Sequence, residues 1–408
     1  MPEDDSSAPS GYDTGMPVTP PFNPPTRLLM GPGPSGAHPR VIRAMGAPIL
    51  GHLDPAFLDI MDQTNDMLRE VMRTGNRMTL ATPGTGTSGM EAAVMNLVEP
   101  GDKVICGICG YFGERIAQMA ERSGGVVTRV QSPWGSPTDL AAVEAAAKAA
   151  GNVKLITVVH AETSTGAQTP IEPFAALAKR QGALLLVDCV TSLGGVQVEV
   201  DAWGADAVYS GTQKCLSAPP GMAPLTLSPA AWDAVKAREV PCNTWYLDLS
   251  LLEAYWDERR AYHHTAPISM VYALHQALAV VLEEGLEARW ARHERNGRAL
   301  QAGLEAMGLV LHADEGYRLS VLTTVRIPEG ADDAAVRKTL LTRNSIEIGG
   351  GLGDLKGKVW RVGLMGESST PGNVLLFLTS LGKILREQNV KADVRAALDV
   401  AVARLGGE

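Results

Sequence analysis

The chain has 408 residues, of which 45% are hydrophobic, so it can bury a large core and form two domains. Its net charge of −9, without a cluster of lysines and arginines, argues against nucleic-acid binding. No apolar run approaches the ~20 residues that span a bilayer, and no secretion signal is visible, so we expect a cytoplasmic protein without membrane contact.

The first part of the chain is polar and rich in proline. Residues 1–25 contain little that could enter a core, and the pattern predicts a disordered leader or, at most, an arm that lies over a neighbouring subunit. We expect order to begin near the words "RLLMGPGPSG".

From about residue 78, short apolar runs alternate with alanine-rich segments of helical period. The runs include "KVIC", "VKLITVVH", "ALLLVD" and "DAVYSG", and the segments between them include "DLAAVEAAAKAA". This alternation is typical of an α/β protein with a mostly parallel sheet and helices on both faces.

Near residue 270 the pattern changes to a long helical stretch, followed by shorter strands and further helices. We therefore predict a large domain over residues 26–285, a smaller α+β domain over 286–390, and a C-terminal helix or tail over 391–408.

The five cysteines are an odd number, which favours a reducing compartment without disulfides. Cys106 and Cys109 form a lone CxxC, and a zinc site would need a second pair. The adjacent His263 and His264 point to opposite sides of an extended segment and cannot chelate one ion. We therefore expect no metal.

Three loops each follow an apolar run and together carry chemistry: "HAETSTG" (His160–Gly166), "DCVTSLGG" (Asp188–Gly195) and "SGTQKC" (Ser210–Cys215). In an open parallel sheet such loops meet at the carboxyl ends of the strands. A buried lysine loses its proton readily and can attack a carbonyl, and a buried aspartate needs a cationic partner. Lys214 and Asp188 therefore indicate pyridoxal phosphate, with the aspartate beside the pyridine nitrogen.

The word "PGTGTSGMEAAVMNLVEPGD" is a glycine-rich turn that opens a helix, whose free N–H groups favour a phosphate. Gly84, Gly86 and Gly89 also fit GxGxxG, the pattern of dinucleotide-binding proteins. That pattern expects an acidic residue at the end of the next strand, and "KVICGICG" has none. The pyridoxal phosphate interpretation is therefore favoured.

From about Arg27 to Leu385 the chain resembles the class V, fold-type-I aminotransferases, and most of all their alanine–glyoxylate/serine–pyruvate group. The matching words are "GPGPS", "HAETSTG", "LLLVDCVTSLGG", "YSGTQKCLSAPPG", "YLDL…YW", "YHHT" and "KVWRVGLMG". The resemblance implies a large domain with a mostly parallel seven-stranded sheet, pyridoxal 5′-phosphate as cofactor, and a homodimer with active sites at the subunit interface.

By this resemblance, Lys214 forms the Schiff base with the cofactor and serves as the general base. Asp188 pairs with the pyridine nitrogen, and Val190 packs on one face of the ring. Phe112 stacks on the other face, where the family often has tryptophan. Thr163 binds the ring hydroxyl.

The resemblance also implies residues for the phosphate and for the substrate. Tyr262 and Thr265 reach the phosphate from the partner subunit, and Arg361 grips the substrate carboxylate. Gly33 and His52 contact the substrate. Within the subunit that holds the cofactor, the phosphate is bound by Gly86, Thr87 and Gln213.

Each of these residues also has a structural interpretation. Lys214 could start a helix, Asp188 could cap one, and Arg361 could form an ion pair within the protein. His160 is expected to be structural. The glycine run "GGGLG" (Gly349–Gly353) is expected to be a turn that precedes the strand bearing Arg361.

The implied reaction is a ping-pong exchange in which alanine or serine gives its amino group and glyoxylate or pyruvate receives one. Relatives that act on ureidoglycine carry a glutamine and an asparagine where this chain has His52 and Tyr262, although its C-terminal part resembles theirs. Ureidoglycine–glyoxylate, serine–glyoxylate and pyridoxamine–pyruvate exchange remain alternatives.

Two other classes stay open from the sequence alone. A lyase of the same fold, such as a cysteine desulfurase, needs a mobile cysteine in the small domain, whereas all five cysteines precede residue 243. A binding protein without a cofactor is the second alternative, and it would show no absorbance from bound pyridoxal phosphate.

Overall fold

The computed structural model describes residues 22–257 and 259–406; most of the predicted leader lies outside these residues. The helices of the described part are α1 (Pro39–Met45), α2 (Pro55–Met72), α3 (Gly86–Leu97), α4 (Tyr111–Arg122), α5 (Leu140–Ala150), α6 (Glu172–Gln181), α7 (Val200–Trp203), α8 (Pro229–Lys236), α9 (Leu249–Trp256), α10 (Ile268–Glu284), α11 (Leu286–Ala306), α12 (Asp333–Asn344), α13 (Pro371–Glu387) and α14 (Val394–Gly406).

The strands of the same residues are β1 (Leu28–Leu29), β2 (Met78–Gly84), β3 (Lys103–Ile108), β4 (Val126–Gln131), β5 (Leu155–Val159), β6 (Ala161–Glu162), β7 (Ala167–Gln168), β8 (Leu184–Asp188), β9 (Ala207–Tyr209), β10 (Gly221–Leu227), β11 (Leu322–Arg326), β12 (Ile346–Glu347), β13 (Gly349–Gly350) and β14 (Val359–Gly363). No helix among the described residues is both long enough and apolar enough to cross a membrane.

A seven-stranded sheet forms the centre of the molecule, with the order β2-β10-β9-β8-β5-β3-β4. Only β10 runs against the others. Strands β5 and β8 are almost wholly buried, as their continuous apolar sequences predict for the middle of a parallel sheet. The α/β prediction and the seven strands implied by the resemblance are confirmed.

Local sequence signals explain where the covering helices begin and end. The Asp139 side chain accepts hydrogen bonds from the N–H groups of Ala141 and Ala142, and α5 starts there. At the other end of α6, Gly182 has a φ of +65°, a conformation that glycine adopts without strain. Short connections of this kind return the chain to the sheet.

The predicted long helical stretch is two helices. Gly285 lies between α10 and α11 with a φ of +82°, and its N–H group bonds to the carbonyls of Val281 and Leu282. A residue in this conformation ends a right-handed helix, and the glycine in "LEEGLEA" was the signal for the break.

The C-terminal part contains a three-stranded antiparallel sheet of order β11-β14-β13, with Arg361 at the centre of β14. The two glycines Gly349 and Gly350 form β13, so the glycine run is partly a strand. One large apolar cluster draws on residues 57–286, and a second draws on Met30 and residues 299–401. The predicted domain boundaries remain a prediction.

Candidate active site

The predicted site residues converge at one edge of the central sheet. A cavity of about 210 Å³ lies where β2, β3, β5, β8 and β9 end. Its wall contains every predicted cofactor-binding residue except Tyr262 and Thr265, and it adds Met90, Arg115, Val159 and Ala161. The carboxyl ends of parallel strands meet at a common edge, which explains how loops distant in sequence come together.

Asp188 is the last residue of β8 and is 2% exposed. Its carboxylate accepts hydrogen bonds from the Tyr209 hydroxyl at 2.6 Å and from the Val190 N–H at 2.8 Å. Burial raises the pKa of Asp188 to about 6 despite these donors. The group is therefore mostly ionised at neutral pH, and its oxygens can still accept from a further cation.

Lys214 lies in the turn between β9 and β10 and is 9% exposed. Its amine donates to the Pro32 carbonyl. Burial, helped by the charge of Arg361, lowers the pKa of Lys214 to about 8. Gly33 has a φ of +115°, and a Cβ there would lie 2.7 Å from Nζ of Lys214. The positive φ favours glycine at position 33, and a larger residue there would crowd the lysine amine.

The start of α3 forms one end of the cavity. Thr85, the residue before the helix, makes no capping hydrogen bond through its side chain. A Cβ on Gly86 would lie 2.9 Å from the Val190 side chain, so only glycine lets the helix start so close. An uncapped helix start suits an anion. Gln213 has a buried side-chain oxygen without a partner among the described residues, and this oxygen can accept a hydrogen bond from a ligand.

Phe112 lines the cavity from the first turn of α4. The Arg115 guanidinium lies 5.2 Å from the centre of the Phe112 ring and donates to the Thr87 hydroxyl at 3.3 Å. Neither Arg115 nor this contact was predicted from the sequence. A signal for Arg115 existed in "GYFGER", because the third residue after Phe112 lies on the same helix face.

Thr163 lines the cavity from the turn between β6 and β7, where its hydroxyl contacts that of Thr191. Next to it, Glu162 is fully buried and accepts from the N–H groups of Phe112 at 3.2 Å and Gly113 at 3.4 Å. Glu162 lies within the word "HAETSTG", but no role was predicted for it.

Arg361 on β14 is 6% exposed. Its Nε donates to the Gly350 carbonyl at 2.8 Å, and one terminal nitrogen donates to the Thr163 carbonyl at 3.3 Å. No carboxylate pairs with it in the described part of the chain, and burial lowers its pKa to about 10. Its remaining N–H groups are free to bind an anion.

Comparisons with known proteins fit this geometry. The family model "Aminotransferase class-V" matches residues 42–354. The chain belongs to the class-V aminotransferases. It is 47% identical to the alanine–glyoxylate aminotransferase of Nostoc sp. (93% of this chain, 100% of that one, TM-score 0.88). It is 42% identical to the ureidoglycine–glyoxylate aminotransferase of Bacillus subtilis (94% and 99%, TM-score 0.92) and 31% identical to the pyridoxamine–pyruvate aminotransferase of Mesorhizobium loti (93% and 96%, TM-score 0.89).

Enzymes of this family depend on pyridoxal phosphate, and the chain is a pyridoxal-phosphate-dependent aminotransferase of the corresponding fold. The residues present fit this cofactor. The cavity offers a buried amine, an ionised carboxylate and an uncapped helix start, which suit an aldehyde, a protonated ring nitrogen and a phosphate.

Besides Gly33 and Arg361, three predicted residues of this aminotransferase lie outside the wall of the cavity: His52, Tyr262 and Thr265. Tyr262 is 64% exposed, Thr265 is also exposed, and the Tyr262 ring lies 5.3 Å from that of His52. Their roles remain predictions, and a contribution to a partner's cavity is compatible with these positions.

The cysteines give no support to a desulfurase-like lyase. Four of the five are buried, and Cys242 is half-buried. Burial raises the pKa of Cys106, Cys109 and Cys215 to about 12, so their thiols stay protonated. Within residues 22–257 and 259–406, no three His, Cys, Asp or Glu side chains are grouped to hold a metal ion.

Proposed function

We propose that this aminotransferase exchanges amino groups between a small amino acid, alanine or serine, and a 2-oxo acid, glyoxylate or pyruvate. The observation that carries the proposal is Arg361, a buried guanidinium with unfilled donors, next to the amine of Lys214. Both substrates of the proposed exchange have a carboxylate beside the reacting carbon. One cation can therefore hold either of them.

In this proposal the bound cofactor supplies an electron-accepting ring. Lys214 holds and moves the proton at the substrate Cα. With a pKa of about 8, a large enough fraction of its amine is neutral near pH 7.5 to accept a proton, and its conjugate acid can return it. The glycine at position 33 leaves room for that amine to move.

Asp188 would supply the negative charge that pairs with the ring nitrogen of the bound cofactor. The Val190 N–H and the Tyr209 hydroxyl each donate to its carboxylate and hold it in one orientation. Tyr209 lies on strand β9, which pairs with β8. A carboxylate held in a fixed orientation stabilises a protonated ring nitrogen more than a mobile one does. The two donors fix the carboxylate and leave lone pairs of its oxygens for the ring nitrogen.

The remaining assignments follow the shape of the cavity. The start of α3 with Gly86, Thr87 and Gln213 binds the phosphate, while Phe112 and Val190 enclose the ring. Arg361 binds each carboxylate in turn, so the first product must leave before the second substrate enters. The proposal therefore includes ping-pong kinetics.

Two kinds of support distinguish the candidate substrates. The Nostoc structure, an alanine–glyoxylate aminotransferase, has 47% sequence identity to this chain. A second candidate is ureidoglycine as amino donor, which the TM-score of 0.92 to the Bacillus subtilis enzyme favours. His52 and Tyr262 stand where relatives that act on ureidoglycine carry a glutamine and an asparagine, and the lack of these two amides favours alanine or serine.

A half-reaction screen tests the substrate assignment. The loaded enzyme is mixed with alanine, serine, ureidoglycine or pyridoxamine, each without an acceptor, and the visible cofactor band is followed. We expect alanine or serine to bleach the band fastest, and glyoxylate or pyruvate to restore it. Faster bleaching by ureidoglycine or pyridoxamine would refute the assignment.

We also propose a homodimer in which Tyr262 and Thr265 complete the partner's cavity. The exposed side chains of Trp245 and Tyr246 pack against His263, which follows Tyr262 in the chain. Exposed apolar surface of this kind is typical of an interface between subunits. The cytoplasmic location expected from the sequence remains a prediction.

Mixed dimers test this arrangement. A Lys214→Ala chain is co-expressed with a Tyr262→Ala chain, and the mixed dimer is isolated by two tags. If Tyr262 serves the partner's cavity, one of the two sites is intact, and we expect about half of the wild-type activity. A mixed dimer of Lys214→Ala with Asp188→Asn has no intact site and is the control. Equal activities in the two mixed dimers contradict the arrangement.

A further inference from the structure

Helix α4, which carries Phe112, begins without a cap of its own. The residue before it is Gly110, which has no side chain to accept the free N–H groups of the first turn. A Cβ at this position would lie 2.4 Å from both Glu162 and Ser164. The space that a capping side chain would occupy is taken by residues of another loop.

Those two residues accept the hydrogen bonds that α4 would otherwise lack. The Tyr111 N–H donates to the Ser164 hydroxyl at 2.9 Å, and the N–H groups of Phe112 and Gly113 donate to one oxygen of Glu162. The other oxygen of Glu162 accepts from the N–H group of Ser164 at 3.0 Å and from its hydroxyl at 2.6 Å. Both carboxylate oxygens therefore face donors only.

The same turn holds two other parts of the candidate active site. Thr163, between the two residues, lines the cavity, and its carbonyl accepts from Arg361. Glu162 and Ser164 are fully buried, and no ion pair of Glu162 occurs among the described residues. A buried carboxylate bound only by neutral donors is costly unless it fixes something that the protein needs.

We propose that Glu162 is a positioning residue that fixes Phe112 against the cofactor ring by capping α4 from the neighbouring loop. The Phe112 ring is also held from the side by Arg115 and by the edge of Tyr111. Glu162 itself does not line the cavity. The inference rests on the proposed role of Phe112 as a stacking residue.

The test is Glu162→Gln, which keeps the size and removes one acceptor. The NH2 of glutamine must face donors on one side, either those of α4 or those of Ser164. We expect the dissociation constant of the cofactor to rise about tenfold, the effect of one hydrogen bond to a charged group. At saturating cofactor, we expect a weaker visible circular dichroism signal, because the ring is held less rigidly.

Two variants make this test specific. Glu114→Gln removes a charge from the same helix turn, but its carboxylate faces Arg129, so cofactor binding should be unchanged. Ser164→Ala removes the acceptor for Tyr111 and leaves the carboxylate, so a smaller rise in the dissociation constant is expected. The second variant decides the question if Glu162→Gln does not fold.

A double-mutant cycle with Phe112→Leu tests whether Glu162 affects cofactor binding through Phe112. If Glu162 acts through Phe112, adding Glu162→Gln to Phe112→Leu leaves cofactor affinity unchanged. Effects that multiply would overturn the proposal, as would a lowered melting temperature with unchanged affinity and dichroism. Failure of the wild-type enzyme to bind pyridoxal phosphate would refute the proposed function itself. This result differs from those that refute only the role of Glu162.

Discussion

Arg361→Lys is the substitution that most directly tests the carboxylate site. In the structure, Nε and one terminal nitrogen of Arg361 bind the carbonyls of Gly350 and Thr163. These contacts hold the guanidinium plane and leave N–H groups on both terminal nitrogens for a substrate carboxylate. A lysine keeps the charge but cannot bind both carbonyls and present two parallel donors.

The magnitude follows from the donors that are lost. Removing one of two hydrogen bonds between charged groups costs about 1.5–3 kcal/mol. This corresponds to a fall in kcat/KM for alanine of about 10- to 150-fold. Because the contact is made in both the ground state and the transition state, most of the loss should appear in KM.

The assay compares alanine with ethylamine, which lacks only the carboxylate, in single-turnover reactions. The variant should lose activity toward alanine and react with ethylamine as the wild type does. Arg343→Lys, in an exposed ion pair with Glu387, is the matched control and should behave as the wild type. An equal loss for both amines, or an unchanged KM for alanine, refutes the role of Arg361.

Three further predictions concern the cavity. With a pKa of about 8, the neutral fraction of Lys214 rises about tenfold from pH 7 to pH 9. The rate at which the cofactor-free enzyme binds pyridoxal phosphate should therefore rise about tenfold and level off near pH 9. A rate that still climbs steeply at pH 9 contradicts the lowered pKa. Asp188→Asn should slow the alanine half-reaction about a thousandfold, because two opposite charges ~4 Å apart attract by ~4 kcal/mol at a dielectric of about 20. An unchanged rate in stopped-flow measurements excludes the pairing of Asp188 with the ring nitrogen. Gly33→Ala, with its Cβ 2.7 Å from Nζ of Lys214, should weaken cofactor binding in a titration, whereas Gly372→Ala, with no atom within 4 Å, should not.

The motifs predicted the cavity because they follow buried strands. Asp188, Thr163 and Lys214 lie in separate words of the sequence, and each word comes directly after an apolar run. Once the runs are assigned to one parallel sheet, the edge at which they end is determined. No finer information than strand order was needed to bring these residues together.

Partners across strands could not be predicted in the same way. Tyr209 binds Asp188 because the register between β8 and β9 puts the two residues opposite each other. Register depends on packing over the whole sheet and leaves no local pattern. Glu162 was missed for a related reason, since its partners are backbone N–H groups, which every sequence contains.

The charges of the site show why it needs ligands. Lys214 and Arg361 are buried cations that bind only carbonyl oxygens, and Asp188 and Glu162 are buried carboxylates that accept only from neutral donors. An interior selected for stability alone would pair these charges or replace them with apolar groups. Two of them, Asp188 and Lys214, line the cavity, and the carboxylate and the protonated ring nitrogen of the proposed ligands would supply the missing counter-charges of Arg361 and Asp188.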